Sequence, residues 1–201
     1  SGDLAQCVPA GTQNGKFQVL SGGKLLPIKG FGLAIRSFKA FADQYPEARF
    51  TIVGDGVELP RLEALASELG LEEKVHFKDW MPRKGLLAEM ASCDVFLFPS
   101  LRDGGGAVVV EAMAAGKPVV CLDLAGPGMH VVDGCGIKVP PHSPEQVVRE
   151  MATALGCLYA DKEFRLRMGR KARERAEQEY HWDRLGERLQ KIYEGALGLQ
   201  V

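Results

Sequence analysis

Six short apolar runs, separated by stretches of helical periodicity, decide what this chain can fold into. The candidate strands are FQVL (17–20), RFTIV (49–53), KVHF (74–77), DVFLF (94–98), PVVCL (118–122) and GIKV (136–139). Several are apolar without alternation, as parallel strands covered on both faces are. Between the first two, Phe31, Ala34, Ile35, Phe38, Phe41, Ala42 and Tyr45 recur at the spacing of one helix face. Leu59, Leu62, Leu65, Ala66 and Leu69 do the same between the second and third. Repeated strand-helix-strand crossovers predict an α/β fold, an open, doubly wound parallel sheet of about six strands.

The rest of the chain is helical or bare. Ser143-Pro144-Glu145-Gln146 reads as an N-cap, a proline at the first helical position and a capping-box partner at the third. Helices are expected from there on, with residues 160–201 as a C-terminal helical segment. Trp182, Leu185, Leu189, Ile192, Tyr193 and Ala196 stripe the last helix. Residues 1–16, which contain GTQNG, are expected to be a flexible segment ahead of one Rossmann-like domain, 17–201. The formal net charge of −1 gives no global attraction to nucleic acid or anionic lipid. No apolar run reaches the roughly 18–20 residues of a membrane span, and no secretory pattern opens the chain, so a cytoplasmic location is expected. Five cysteines without a C-x-x-C pair predict reduced thiols, and four histidines without ligand spacing predict no metal site.

Ligands of such sheets bind beyond the carboxyl ends of the strands, so the loops after the strands carry the information. The first, GGKLLPIKG (22–30), offers Lys24 and Lys29 with Gly30 opening a helix, a combination suited to an anion. The second, GDG (54–56), permits close ligand approach at Gly54. It is not a dinucleotide fingerprint, because G-x-G-x-x-G would need glycine where Leu59 stands, and it follows the second strand rather than the first. GTQNGKF (11–17) fails as a P-loop, with wrong glycine spacing and Phe17 where Ser or Thr should be.

The third loop is SLRDGGGAVVVEAMAAGKPVV (100–120), in which Asp103 precedes three glycines and Glu111 follows inside a helix predicted over 107–115. Bare glycines expose amide groups at a helix start, which suits a phosphate or the polar edge of a sugar. Helical side chains lean toward the N-terminus, so Glu111 can point back at the same mouth. Carboxylates beside an anion site make sense as acceptors from hydroxyls. The ligand that combines these needs is a nucleoside, a diphosphate and a sugar. Singly, each feature also has a plain structural reading: solvated lysines, a glycine turn, and an acid favoured by the helix dipole.

Together the motifs resemble the retaining GT-B glycosyltransferases, specifically the large family four of nucleotide-sugar-dependent enzymes. That family carries G-R-L…K-G after the first strand of its C-terminal domain, matched by Gly23-Lys24-Leu25…Lys29-Gly30. Its P-S-x-x-E-G-F-G-x-x-x-x-E-A-M-A-x-G-x-P-V is matched by Pro99-Ser100-Leu101-Arg102-Asp103-Gly104-Gly105-Gly106, then Glu111-Ala112-Met113-Ala114-Ala115-Gly116-Lys117-Pro118-Val119. IVGDG (52–56), VHFKDWMP (75–82) and the late HW…Y (181–193) also fit, so the likeness spans about residues 17 to 196. Three positions depart from it: Asp103 is one methylene shorter than Glu, Gly105 replaces Phe, and Lys24 replaces the planar Arg fork.

The resemblance implies one half of a GT-B fold, the donor-binding domain. Lys24 and Lys29 would hold the donor diphosphate, Asp103 would bind hydroxyls of the transferred sugar, and Glu111 those of the ribose. The amides of Gly104, Gly105 and Gly106 would line sugar and phosphate beside Gly23 and Gly54. The segment around Trp80 and Met81 would lie near the base. A UDP- or GDP-sugar is the implied donor of a hexose, transferred with retention to a glycan, lipid-linked or polysaccharide acceptor, without metal or other cofactor. The acceptor-binding N-terminal domain would belong to the same longer protein and supply any peripheral membrane contact. This chain alone would then bind nucleotide without turnover. The competing reading is a non-catalytic nucleotide- or phosphosugar-binding module of the same fold.

Overall fold

The computed structural model describes residues 16–197. The expected flexible segment 1–16 falls, apart from Lys16, outside the described residues. Six strands follow in chain order: β1 (Gln18–Gly22), β2 (Arg49–Val53), β3 (Val75–Lys78), β4 (Val95–Phe98), β5 (Val119–Leu122) and β6 (Gly136–Val139). They form one sheet in the order β3-β2-β1-β4-β5-β6. Every pairing is parallel. The expected strands are all present, with ends shifted by two residues at most. β4 and β5 are buried throughout, which explains why their sequences run apolar without alternation.

The helices are α1 (Phe31–Ala42), α2 (Leu59–Glu68), α3 (Arg83–Ser92), α4 (Ala107–Ala114), α5 (Ala125–His130), α6 (Pro144–Ala160), α7 (Lys162–Tyr180) and α8 (Trp182–Leu197). On one face of the sheet, α1, α2 and α6 enclose a core centred on Phe38, Phe41 and Phe50. On the other, α3, α4 and α7 enclose Met90, Phe96, Val109 and Met113. Each fully buried Phe or Leu contributes about 1.5–3 kcal/mol. The α1 stripe is buried as its spacing predicts, while Tyr45 lies past the helix end and packs against Tyr159, with ring centroids 4.4 Å apart and planes tilted by 39°.

Two local expectations need correction, and two helices had no periodic signal. Ser143 caps α6 by accepting from the Gln146 amide, but the Gln146 side chain accepts from His142 N–H rather than closing the box on Ser143. α3 and α5 were not visible as periodic segments. α3 buries only Met90, and α5 reads AGPGMH, whose glycines and proline argue against a helix. Finally, Cys157 is disulfide-bonded, so the expectation of uniformly reduced thiols fails there. Cys93, Cys121 and Cys135 are free and buried, and burial pushes the Cys93 and Cys121 thiols up to about 12. Among the described residues no helix is long and apolar enough to cross a membrane.

α8 stands apart. Its apolar stripe is the one read from the sequence, yet none of its residues is buried, and Trp182, Leu189, Ile192, Tyr193 and Leu197 are exposed.

Candidate functional site

Strand order reverses at β1. The chain runs outward from β1 to β2 and β3, then returns to place β4 on the other edge of β1. Connections leave in opposite directions there, opening a crevice beyond the carboxyl ends. The loops after β1 and β4 border it and touch. Leu101 N–H donates to Ile28 C=O at 2.9 Å. Gly30 takes a left-handed φ of 67°, and a Cβ there would sit 2.3 Å from the Pro99 carbonyl oxygen. The loop after β2 closes on the first in the same way. A Cβ on Gly54 would lie 1.9 Å from Gly23 O. The two glycines predicted at a ligand thus hold loops back to back, and their spacing is set by the main chain.

The charges sort into three pairs. Lys29 Nζ is 2.6 Å from Asp103 Oδ2, with the two side chains only 20% and 18% exposed. The other oxygen, Oδ1, accepts from the amides of Gly106 at 2.7 Å and Gly105 at 3.3 Å. Burial pushes the Asp103 carboxyl up, but the Lys29 hydrogen bond, the two amides and the Lys29 charge together outweigh it and hold the pKa below the usual carboxylate range. Lys24 Nζ lies 3.0 Å from Asp55 Oδ1 in the β2 loop, both side chains more than half exposed. Glu111, in the second turn of α4, accepts from Arg83 Nε at 2.6 Å.

The structure brings Lys29, Asp103 and the glycines beside one another. The structure adds that the Gly105 and Gly106 amides are aimed at Asp103 itself. Gly104 and Gly105 are exposed, and a Cβ on either would meet nothing within 4 Å, so the outer side of the loop is open. Lys24 turns to Asp55 rather than toward Asp103. Trp80 is exposed and Met81 half-buried against the second core. They lie just ahead of α3, whose first residue, Arg83, reaches Glu111.

Four polar residues were missed. Asp55 lay inside the GDG run and Arg83 followed the Trp80-Met81-Pro82 segment, so both had a local signal. His130 and Tyr180 had none. His130 Nε2 is 2.7 Å from Gly105 O, and Nδ1 is 2.8 Å from the Tyr180 hydroxyl. The helix that ends at His130, α5, opens at Ala125 with φ 45°, a left-handed conformation costing a non-glycine residue about 1–2 kcal/mol. It is held there by the next residue, whose amide donates to Asp103 C=O at 3.1 Å. A groove of about 640 Å³ between α1, α2 and α6 is lined by none of these residues. Among the described residues no group of three or more His, Cys, Asp or Glu converges as metal ligands.

Comparison with known proteins adds what the geometry alone does not supply. The family model for glycosyl transferases group 1 matches residues 8–175. The chain is 33% identical over 179 residues to the GDP-mannose-dependent alpha-(1-6)-phosphatidylinositol monomannoside mannosyltransferase of Mycolicibacterium smegmatis, covering 86% of this chain and 46% of that protein. It spans less than half the length of the curated relatives it matches. Two solved structures share the fold. The pneumococcal O-GlcNAc transferase GtfA, solved with UDP and GlcNAc, superposes with a TM-score of 0.80 at 20% identity, over 94% of this chain and 38% of that one. The C-terminal domain of a group 1 family protein (LpcC) from Francisella tularensis superposes with a TM-score of 0.71 at 18% identity, over 83% of this chain and 87% of that one.

Proposed function

The chain belongs to the family of glycosyl transferases group 1, and from that premise we propose that residues 17–201 are the donor-binding half of a retaining, nucleotide-sugar-dependent glycosyltransferase. The observation that carries the reading is the enclosed Lys29–Asp103 pair beside an open glycine loop at the switch point of the sheet. A diphosphate approaching that loop meets Lys29, with Lys24 at the neighbouring loop as a second, mobile cation. Asp103 retains one lone-pair site, on Oδ2, for a sugar hydroxyl after accepting from Lys29 and the two amides. Glu111 accepts from a ribose diol that displaces Arg83, and the Trp80-Met81 segment borders the base. A UDP- or GDP-sugar fits this set. The relative that uses GDP-mannose and the fold neighbour solved with UDP support that donor class.

In this reading the lysines stabilise charge that develops on the departing diphosphate, with no metal or cofactor required. The diphosphate itself helps deprotonate the acceptor hydroxyl on the same face of the sugar, which gives retention at the anomeric carbon. The acceptor, a glycan, lipid-linked sugar or polysaccharide, is held by the other half of the longer protein, which works at the cytoplasmic side and brings any membrane contact. The unburied stripe of α8 supports a second body packing against this one.

Calorimetric titration with UDP, GDP, ADP and their sugar conjugates tests the reading. One nucleotide is expected to bind, and Glu111→Ala and Lys29→Ala are each expected to weaken it by about 1–3 kcal/mol. Binding unaffected by both substitutions would sink the donor site. Sustained sugar transfer by this polypeptide alone would sink the half-enzyme reading.

A further inference from the structure

The loop that carries Asp103 is held from behind as well as from the front. A carbonyl can only accept, so the 2.7 Å contact to Gly105 O requires that His130 Nε2 carry the proton. In the neutral ring Nδ1 then presents a bare lone pair, and the Tyr180 hydroxyl at 2.8 Å donates to it. The direction of the chain is thereby fixed: Tyr180 O–H to His130, His130 N–H to the Gly105 carbonyl. Such a series polarises its own members and strengthens each bond. The two rings meet edge to face, 4.9 Å apart at 85°. The His130 main chain is itself anchored, its carbonyl accepting from Arg175 Nε at 2.9 Å.

The Gly105 carbonyl and the Gly106 amide belong to one planar peptide unit and point in opposite directions. His130 holds the carbonyl end, and Asp103 Oδ1 holds the amide end at 2.7 Å. Without His130 that unit, flanked by the most freely rotating residues, would be fixed at one end only. A flip would withdraw the Gly106 amide from Asp103 and loosen the carboxylate that Lys29 faces.

We propose that His130 and Tyr180 are positioning residues of the donor site, fixing through the Gly105 carbonyl the geometry that the glycine loop, Asp103 and Lys29 present to a nucleoside diphosphate. This rests on the donor-site reading above. The monophosphate of the same nucleoside depends on Glu111 and the Trp80 segment, and does not need the loop.

The test uses the 201-residue chain with His130→Gln, His130→Asn, Tyr180→Phe and, as a control on the exposed stripe of α8, Tyr193→Phe. Ligand-free nitrogen-15 spectra recorded at about pH 8, where an ordinary imidazole is neutral, are expected to show Nε2 protonated and Nδ1 bare. Tyr180→Phe should leave the proton on Nε2 while shifting the Nδ1 resonance and the Gly106 amide, and Tyr193→Phe should shift neither. In titrations with UDP, GDP, UMP and GMP, His130→Gln keeps a donor near the place of Nε2 and should stay within about twofold of the parent. His130→Asn, which reaches only the place of Nδ1, should lose about fivefold or more for the diphosphate and little for the monophosphate. A ring protonated at Nδ1 alone, or a Gly106 amide indifferent to Tyr180→Phe, overturns the strut itself. Equal losses for mono- and diphosphate, or none, overturn the positioning role and leave the donor site standing. If the parent chain binds no nucleotide, the donor-site reading fails and the positioning role with it, while the spectra still decide whether the strut exists.

Discussion

Two cation–carboxylate pairs among the candidate site residues have the same length and different surroundings. Lys29–Asp103 and Arg83–Glu111 both close to 2.6 Å. In the first, both side chains are about four-fifths enclosed, and the carboxylate also takes two main-chain amides. In the second, Arg83 is 74% exposed. Water screens the second pair and does little to the first. The first is part of the scaffold that shapes the loop. The second is a loose contact that a competing group can displace.

The sharpest way to break this comparison is to delete each acid in turn. Asp103→Ala leaves Lys29 and the Gly106 amide without their acceptor, and is expected to lower unfolding stability by about 1–3 kcal/mol in denaturant titration. A loss no larger than that of Glu111→Ala would end the distinction. The next effect is in acid. The Asp103 pKa is lowered in the fold, so its contribution is complete above the unfolded value of about 4 and is lost as pH falls through the folded one. Stability measured downward from pH 6 should fall more steeply in the parent than in Asp103→Asn, and parallel curves would refute the assignment. Smaller again, Glu111→Ala should change stability by under about 1 kcal/mol while removing most of the ribose contribution to nucleotide binding. The smallest effect is that of Arg83→Ala. It should leave stability within about 0.5 kcal/mol and tighten UDP or GDP by up to about fivefold, because the ribose diol no longer competes for Glu111. Weaker binding in that variant would make Arg83 a ligand contact instead of a competitor.

Strands were legible in the sequence because continuous apolar runs have few other uses, and a candidate site could be named because Asp103, three glycines and Glu111 share one short segment. The pairings were not. Asp55 and Arg83 come from separate loops, and only folding shows that they engage Lys24 and Glu111. His130 escaped because α5 is built from residues that ordinarily break helices. α1 and α8 mark the general limit. Both carry a clear apolar stripe, yet α1 buries seven residues and α8 buries none. Periodicity reveals an apolar face and says nothing of what covers it.

The contact between Lys29 and Asp103 joins positions 74 apart in the chain, across the β1–β4 edge where the sheet changes direction. During synthesis β1, β2 and β3 emerge together, and one edge of β1 stays open until β4 follows. Pairing there closes a long loop, the kind of non-local step that slows folding. The two loops are therefore brought together only by the event that joins β3-β2-β1 to β4-β5-β6. A ligand held by Lys29 and Asp103 binds only chains that have taken that step, and by mass action it draws the folding equilibrium forward.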